Sequence, residues 1–150
     1  MNANIRIAPI GPAHQNLLKG MYDRFDPLGA ALGLPPPNGE VRFEWILTAL
    51  GHKINVAAFS PDGKVVGHCF LAPDTPGSAE LAIFVDQEFR RRGIGTALVK
   101  AALARASAAG LERVWSTTVS RVALHLQQKC GFRVTNFVFP GVELEIGLPY

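Results

Sequence analysis

Arg90-Arg91-Arg92-Gly93-Ile94-Gly95 is the stretch of sequence that decides the fold, because it starts a helix without a cap. The apolar run 79–85 precedes it and predicts a buried strand. After it, apolar residues recur at helical spacing as far as Ala108, and Gly110 stands where helices commonly end. No Ser, Thr, Asp or Asn starts this helix, and three arginines face the positive end of its dipole. The sequence therefore predicts a strand, a glycine loop and a helix whose first amide groups need an anion.

Three phosphate-binding patterns are candidates for this loop, and spacing separates them. The P-loop needs a Gly-Lys-Ser/Thr triplet, which the chain lacks. The dinucleotide fingerprint needs a third Gly or Ala where Leu98 stands, and it follows the first strand of its unit. The remaining pattern, Arg/Gln-x-x-Gly-x-Gly/Ala, is met by Arg90, Gly93 and Gly95. It resembles the pyrophosphate loop of the GNAT superfamily of acyl-CoA-dependent N-acyltransferases. A solvated Arg/Gly-rich turn and a contact to nucleic acid are the alternatives.

The resemblance continues beyond the loop. GNAT proteins carry a further strand and then a helix that ends in a Gly-Phe pair; here 113–119, 121–130 and Gly131-Phe132 match them. The likeness covers about residues 64–134. The strand 79–85, with its Glu80, is also similar to that of bacterial Pat-type protein lysine acetyltransferases, as is the segment Tyr22-Asp23-Arg24-Phe25.

Periodicity and turn residues predict the other elements. A Pro/Gly-rich loop is expected at 27–39, and Ser60-Pro61-Asp62-Gly63 predicts a hairpin. We predict one α/β domain over residues 1–150, with helices on both faces of a mixed, mostly antiparallel sheet of six to seven strands. The resemblance implies that its central parallel pair splays apart. Strands are predicted at 3–9, 54–60, 64–71, 79–85, 113–119, 133–139 and 142–146, and helices at 14–24, 41–50, 94–109 and 121–130.

The charge distribution favours a polyanionic ligand near the loop. The chain has 150 residues, is 48% hydrophobic and has a net charge of +3. Residues 87–135 hold nine Lys/Arg against two acids, whereas residues 1–86 hold six against eight. Aromatic residues lie in apolar strand patterns rather than among the basic ones, so we expect no nucleic-acid partner.

Composition also excludes several classes of protein. No apolar run approaches the length of a membrane span, and 1–10 alternates like a strand rather than resembling a signal peptide, so we expect no membrane partner. Cys69 and Cys130 are expected to be free, buried thiols of a cytoplasmic protein. The four histidines show no zinc-binding spacing, and no metal cofactor is expected; His68, within a strand, is expected to be structural.

The resemblance implies acetyl-CoA as the cofactor and assigns its contacts. Main-chain groups of Phe84 and Val85 are expected to bind the pantetheine arm. Arg90 and Arg91 are expected to add charge-assisted hydrogen bonds to the diphosphate. The backbone N–H groups that hold the diphosphate are expected to be those of Arg92, Gly93, Ile94, Gly95 and Thr96.

Two positions depart from the family pattern. Gln127 stands where a tyrosine usually protonates the leaving thiolate, and Ser120 replaces an asparagine that contacts pantetheine. Ser120 and Gln127 are two helical turns apart, so we expect them to share a polar face toward the cofactor. Water or the Ser120 hydroxyl is then expected to protonate the thiolate.

Glu80 is the candidate general base, because it is a lone carboxylate in an apolar strand beside the cofactor. The alternative is a structural carboxylate that pairs with an arginine or caps a backbone group. We predict acetyl transfer from acetyl-CoA to a primary amine, on a protein lysine or a small molecule. The rival hypothesis is a non-catalytic acyl-CoA-binding or regulatory module, which the missing tyrosine favours. A homodimer is left open.

Overall fold

Seven strands form one sheet in the order β1-β2-β3-β4-β5-β7-β6 in the computed structural model, which describes residues 4–149. The strands are β1 Arg6–Pro9, β2 Ile54–Phe59, β3 Val65–Pro73, β4 Ser78–Val85, β5 Arg113–Thr118, β6 Arg133–Val138 and β7 Gly141–Gly147. The helices are α1 Gln15–Asp23, α2 Gly39–Leu50, α3 Ile94–Ala108 and α4 Arg121–Lys129. Short 3₁₀ turns span Pro12–His14 and Gln87–Phe89.

The predicted mixed sheet is confirmed. Only β4 and β5 pair in parallel; every other neighbouring pair within residues 4–149 is antiparallel. Element bounds differ from the prediction by a few residues, and residue 3 of the first predicted strand lies outside the described residues. The helix expected from residue 41 begins at Gly39, because Asn38 Oδ1 accepts hydrogen bonds from the Glu40 and Val41 amides.

Helices cover both faces of the sheet, as predicted. Alternate residues of β3 point to opposite faces, so Cys69 and Leu71 join the apolar core under α3, whereas Phe70 joins the core under α1 and α2. Gly67 lets α3 approach closely, since an added Cβ would lie 2.8 Å from Leu98 Cδ1. Cys69 and Cys130 are both buried and free, as expected.

The central parallel pair splays apart. Register pairs join β4 to β5 only at Ser78–Arg113, Ala79–Val114 and Glu80–Trp115. Beyond Glu80, β4 stays hydrogen-bonded only to β3, and β5 only to β7. One edge of each strand therefore faces a gap with no neighbouring strand to pair its backbone groups, and the resemblance implied this splay.

A buried polar chain joins α1 to the sheet through His68. The Asn55 amide donates to the carbonyls of Ala49 and His52, so its Oδ1 is the acceptor facing His68 Nε2 at 2.7 Å. His68 Nε2 must then carry the proton, and Nδ1 accepts from the Tyr22 hydroxyl at 2.7 Å. Complete burial lowers the pKa of His68 to about 3, so the ring is neutral. The structural role expected for His68 is confirmed.

Candidate active site

The loop between β4 and α3 ends in an uncapped helix, as the sequence predicts. Gly93 is the N-cap residue, with φ of 76°, and no side chain caps the helix. Its first turn contains no acidic residue. Arg91 also has positive φ, 64°, a backbone conformation that is costly for a residue other than glycine. No side chain in the described part of the protein therefore satisfies the first amides of this helix.

Gly95 lies at the contact between α3 and α4. A Cβ on Gly95 would lie 2.5 Å from Leu126 Cδ1, so any other residue would require the Leu126 side chain to move. The side chains of Ile83 and Val85 of β4 are the next nearest neighbours. The glycine that the motif supplies thus brings α4 against the first turn of α3.

The arginines of the loop surround this helix start, and all three are exposed. Arg90 Nε donates to the Val85 carbonyl oxygen at 3.1 Å, and its guanidinium lies 5.4 Å from the centre of the Phe25 ring. Arg92 lies similarly over Phe89, at 5.0 Å. Because each guanidinium has five N–H donors, both retain donors for an anion.

Glu80 lies on β4 at the last register pair before the gap. It is partly buried, and within residues 4–149 its carboxylate has no hydrogen-bond or salt-bridge partner. Burial raises its pKa, and the negative charges of Asp74 and Glu143 raise it further. The structural alternative, a carboxylate paired with an arginine or bonded to a backbone group, finds no partner in the described residues.

Three groups near Glu80 were not singled out by the sequence analysis. Trp115 pairs with Glu80 in register, and its indole Nε1 donates to Asp74 Oδ2 at 2.8 Å. Glu143 lies on β7, opposite Thr117 of β5. Sheet register brings Trp115 and Glu143 toward Glu80 from 35 and 63 positions further along the chain, whereas Asp74 lies in the turn before β4.

The expected polar face of Ser120 and Gln127 is wrong. Ser120 is the exposed N-cap of α4, with ψ of 129°, so it lies outside the helical periodicity. Gln127 is only 2% exposed, and its Oε1 accepts a hydrogen bond from the Ser116 hydroxyl of β5. Gln127 therefore anchors α4 to the sheet, and we do not retain it as a cofactor contact. Ser120 Oγ accepts from the Ala123 amide at 3.2 Å, which leaves its O–H free to donate.

A cavity of about 380 Å³ lies at the carboxyl end of β5, beside Ser120. The β6–β7 hairpin forms its outer wall with Phe137 and Phe139, which are 80% and 100% exposed. This exposure is not evident in the sequence, because both residues fit an ordinary strand pattern. No cluster of His, Cys, Asp or Glu in residues 4–149 is arranged to hold a metal ion. Within the same range, no helix has the length and apolarity needed to cross a bilayer.

The site thus combines an uncapped, arginine-flanked helix start, a gap between two parallel strands and a carboxylate of raised pKa beside that gap. Such an arrangement suits a ligand that has both a diphosphate and an extended arm.

Comparison with known proteins identifies the family. The model of the acetyltransferase (GNAT) family matches residues 20–132. This chain belongs to that family, whose cosubstrate is acetyl-CoA, and is an acyl-CoA-dependent acetyltransferase.

Solved structures share the fold at low sequence identity. The GNAT domain of S. lividans PAT is similar with a TM-score of 0.83 and 18% identity, over 96% of this chain and 90% of that one. A GNAT superfamily phosphinothricin acetyltransferase from Sinorhizobium meliloti, solved with AcCoA, gives 0.78 and 17% over 97% and 89%. Spermidine N-acetyltransferase from Vibrio cholerae, solved with CoA and spermine, gives 0.76 and 13% over 97% and 96%.

Proposed function

We propose that this protein transfers the acetyl group of acetyl-CoA to a primary amine in the gap between β4 and β5. The single observation that carries the proposal is the uncapped start of α3 beside two strand edges with no neighbouring strand. The amides of Arg92, Gly93, Ile94, Gly95 and Thr96 bind the diphosphate. Arg90 and Arg91 add charge-assisted hydrogen bonds.

The pantetheine arm lies along the open edge of β4. In the β3–β4 pair the Asp86 amide bonds to the Val66 carbonyl, so the main-chain groups of every second residue, Phe84 included, face β3, and Phe84 is not retained as a main-chain contact. The main-chain groups of Val85 face the gap and are available to an extended ligand, although the Val85 carbonyl already accepts from Arg90 Nε. At residues 78–80 this edge of β4 is paired with β5. Beyond those residues, the arm would take the position of that neighbouring strand.

Glu80 is the general base for the amine. Alkylamines are protonated near neutral pH, with a pKa of about 10.4 for lysine, so a proton must be removed before attack. Glu80 takes this proton, directly or through water, and its raised pKa suits it to the task. The neutral amine nitrogen then bonds to the thioester carbonyl carbon, the carbon–sulfur bond breaks, and the nitrogen gives its second proton to water as the amide forms. The leaving thiolate is protonated by water, directly or through the Ser120 hydroxyl, which water reprotonates.

The acceptor is a primary amine of a protein lysine or of a small molecule. The likeness of Glu80 and of the Tyr22–Phe25 segment to Pat-type enzymes supports protein lysine, and the spermidine N-acetyltransferase among the structural neighbours supports a small amine. We place the reaction in the cytoplasm, in keeping with the two free, buried thiols Cys69 and Cys130.

The test is thiol release from acetyl-CoA, measured over a panel of small amines and lysine peptides. We expect Glu80→Gln to lower kcat by about a hundredfold or more, because general bases commonly contribute that much. The control is Glu112→Gln, an exposed glutamate of the same charge. An unchanged rate for Glu80→Gln would remove Glu80 as the base.

A non-catalytic acyl-CoA-binding module is the second candidate. It is favoured by Gln127, which occupies the position where the family usually has a tyrosine that protonates the thiolate. Gln127 is buried against Ser116. This candidate requires that coenzyme A raises the melting temperature while no amine in the panel gives thiol release. Release with any amine would exclude it.

A further inference from the structure

The carboxyl end of α1 is bonded to the base of the diphosphate loop, although the two segments are about sixty residues apart in sequence. Arg24 follows α1 directly, and Asp86 follows β4 directly. Arg24 Nε donates to Asp86 Oδ2 at 2.7 Å, and Arg24 Nη2 donates to the Val65 carbonyl at 2.7 Å. The guanidinium therefore holds Asp86 and β3 together with two donors.

Asp86 sets the direction in which the chain leaves β4. Its side chain is 1% exposed, and its second oxygen, Oδ1, accepts from the Glu88 amide at 2.9 Å. Its own amide donates to the Val66 carbonyl at 2.9 Å. Both carboxylate oxygens of Asp86 therefore have a hydrogen-bond donor. Because the carboxylate is buried, removal of the Arg24 side chain would leave the Asp86 charge without its cation.

Gln87 makes a second, reciprocal link. Its Nε2 donates to the Arg24 carbonyl oxygen at 2.8 Å, and its Oε1 accepts from the Asp26 amide at 3.1 Å. The Gln87 side chain thus bonds to one backbone donor and one backbone acceptor. Both lie where α1 leads into the 27–38 loop, the segment that precedes Gly39 at the start of α2. The same stretch is contacted by Arg90, which lies over Phe25 and has Nη2 3.4 Å from the Asp26 carbonyl oxygen.

Further contacts connect this stretch to the proposed pantetheine site and to the far end of the 27–38 loop. Phe25 packs edge-to-face on Phe84, at 5.8 Å between ring centres, and Phe84 directly precedes Val85, the proposed pantetheine contact. The far end of the 27–38 loop is held by Arg42, whose Nη1 donates to the carbonyls of Pro36 and Pro37 at 3.0 Å. The loop is therefore tied at its start to the diphosphate loop and at its end to α2.

We propose that Arg24 and Gln87 are positioning residues. They hold the diphosphate loop in its binding conformation and couple it to Asp26 and the 27–38 loop that follows. The inference rests on the proposed function, because it assigns diphosphate binding to residues 90–96. Arg24 acts through Asp86, and Gln87 acts through the backbone of Arg24 and Asp26. Neither side chain needs to touch the cofactor.

The first test separates positioning of the diphosphate loop from general damage. Gln87→Ala removes both reciprocal bonds at a partly exposed site, and Gln128→Ala, an exposed glutamine of α4, is the matched control. We expect Gln87→Ala to raise the Kd of coenzyme A and the KM of acetyl-CoA by about three- to tenfold, as for two modest hydrogen bonds. We expect kcat at saturating acetyl-CoA to be unchanged, and the KM of acetylpantetheine, which lacks the diphosphate, to be unchanged.

Arg24→Lys provides a second variant, which keeps the charge but loses the two-donor geometry. It should weaken coenzyme A binding in the same selective way. If both variants bind coenzyme A as tightly as the wild type, or if acetylpantetheine is affected as strongly as acetyl-CoA, the positioning role is overturned.

The second test measures coupling by hydrogen–deuterium exchange with coenzyme A as the probe. In the wild type, coenzyme A should slow exchange in 90–97 and also in 26–34. In Gln87→Ala at saturating coenzyme A, protection of 90–97 should persist and protection of 26–34 should be lost. Protection of 90–97 alone in the wild type would overturn the coupling and leave the proposed function intact. Protection of neither segment would overturn both.

Discussion

Acid should destabilise this protein through His68. The size of the effect follows from the burial of His68 in its hydrogen-bond chain with Tyr22 and Asn55. The folded state keeps His68 neutral, with its pKa lowered to about 3 by burial, whereas an unfolded histidine has a pKa of about 6.5. The unfolded state therefore binds the proton more readily. The contribution of His68 to stability is fully present above pH 6.5 and is lost as the pH falls from about 6.5 toward 3.

Linkage gives the magnitude. Between pH 7 and pH 4 the wild type should lose about 3 kcal/mol of unfolding free energy through this residue alone. A domain of this kind has a total of about 5–15 kcal/mol, so the loss is large enough to measure.

The perturbation is His68→Gln, whose amide can donate toward Asn55 and accept from Tyr22 but does not titrate. The assay is urea unfolding at pH 7 and pH 4, followed by tryptophan fluorescence. We expect the variant to be less stable than the wild type at pH 7 but to lose about 3 kcal/mol less between the two pH values. His125→Gln, an exposed histidine of α4, is the control and should keep the wild-type dependence. A His68→Gln variant with the wild-type pH dependence would refute the reasoning.

Two further predictions concern the site. Arg91→Gly should raise the melting temperature, measured by thermal shift, by about 2–4 °C, because it relieves about 1 kcal/mol of backbone strain at φ 64°. The same variant should weaken coenzyme A binding. Arg92→Gly is the control and should give no gain in melting temperature, because Arg92 does not have positive φ. Asp74→Asn should move the acid limb of the kcat/KM profile to lower pH, because removal of the negative charge lowers the pKa of Glu80. Asp62→Asn, in the β2–β3 turn, should leave the profile unchanged, and a shift equal to that of Asp74→Asn would contradict the assignment.

The sequence predicted the elements whose signals are local. The apolar run, the glycine loop and the helical spacing follow one another directly, so β4, the loop and α3 were found with nearly correct bounds. The start of α2 was missed by two residues, because the cap at Asn38 follows a proline run that reads as loop. The splay of β4 from β5 came from the family resemblance and not from the residues themselves.

The surroundings of the site depend on tertiary contacts and were not predictable in the same way. Glu143 reaches Glu80 through sheet register across 63 positions, and Arg24 reaches Asp86 across 62 positions. Gln127 was assigned to the wrong surroundings, because helical spacing cannot say that Ser120 stands outside the helix or that Ser116 lies beneath Gln127.

A crystal structure of the protein with coenzyme A is the most direct test of the central claim. We predict that diphosphate oxygens lie about 2.7–3.2 Å from backbone nitrogens between Arg92 and Thr96 at the start of α3. A diphosphate bound away from this helix start, with those amides facing water or other protein groups, would contradict the account.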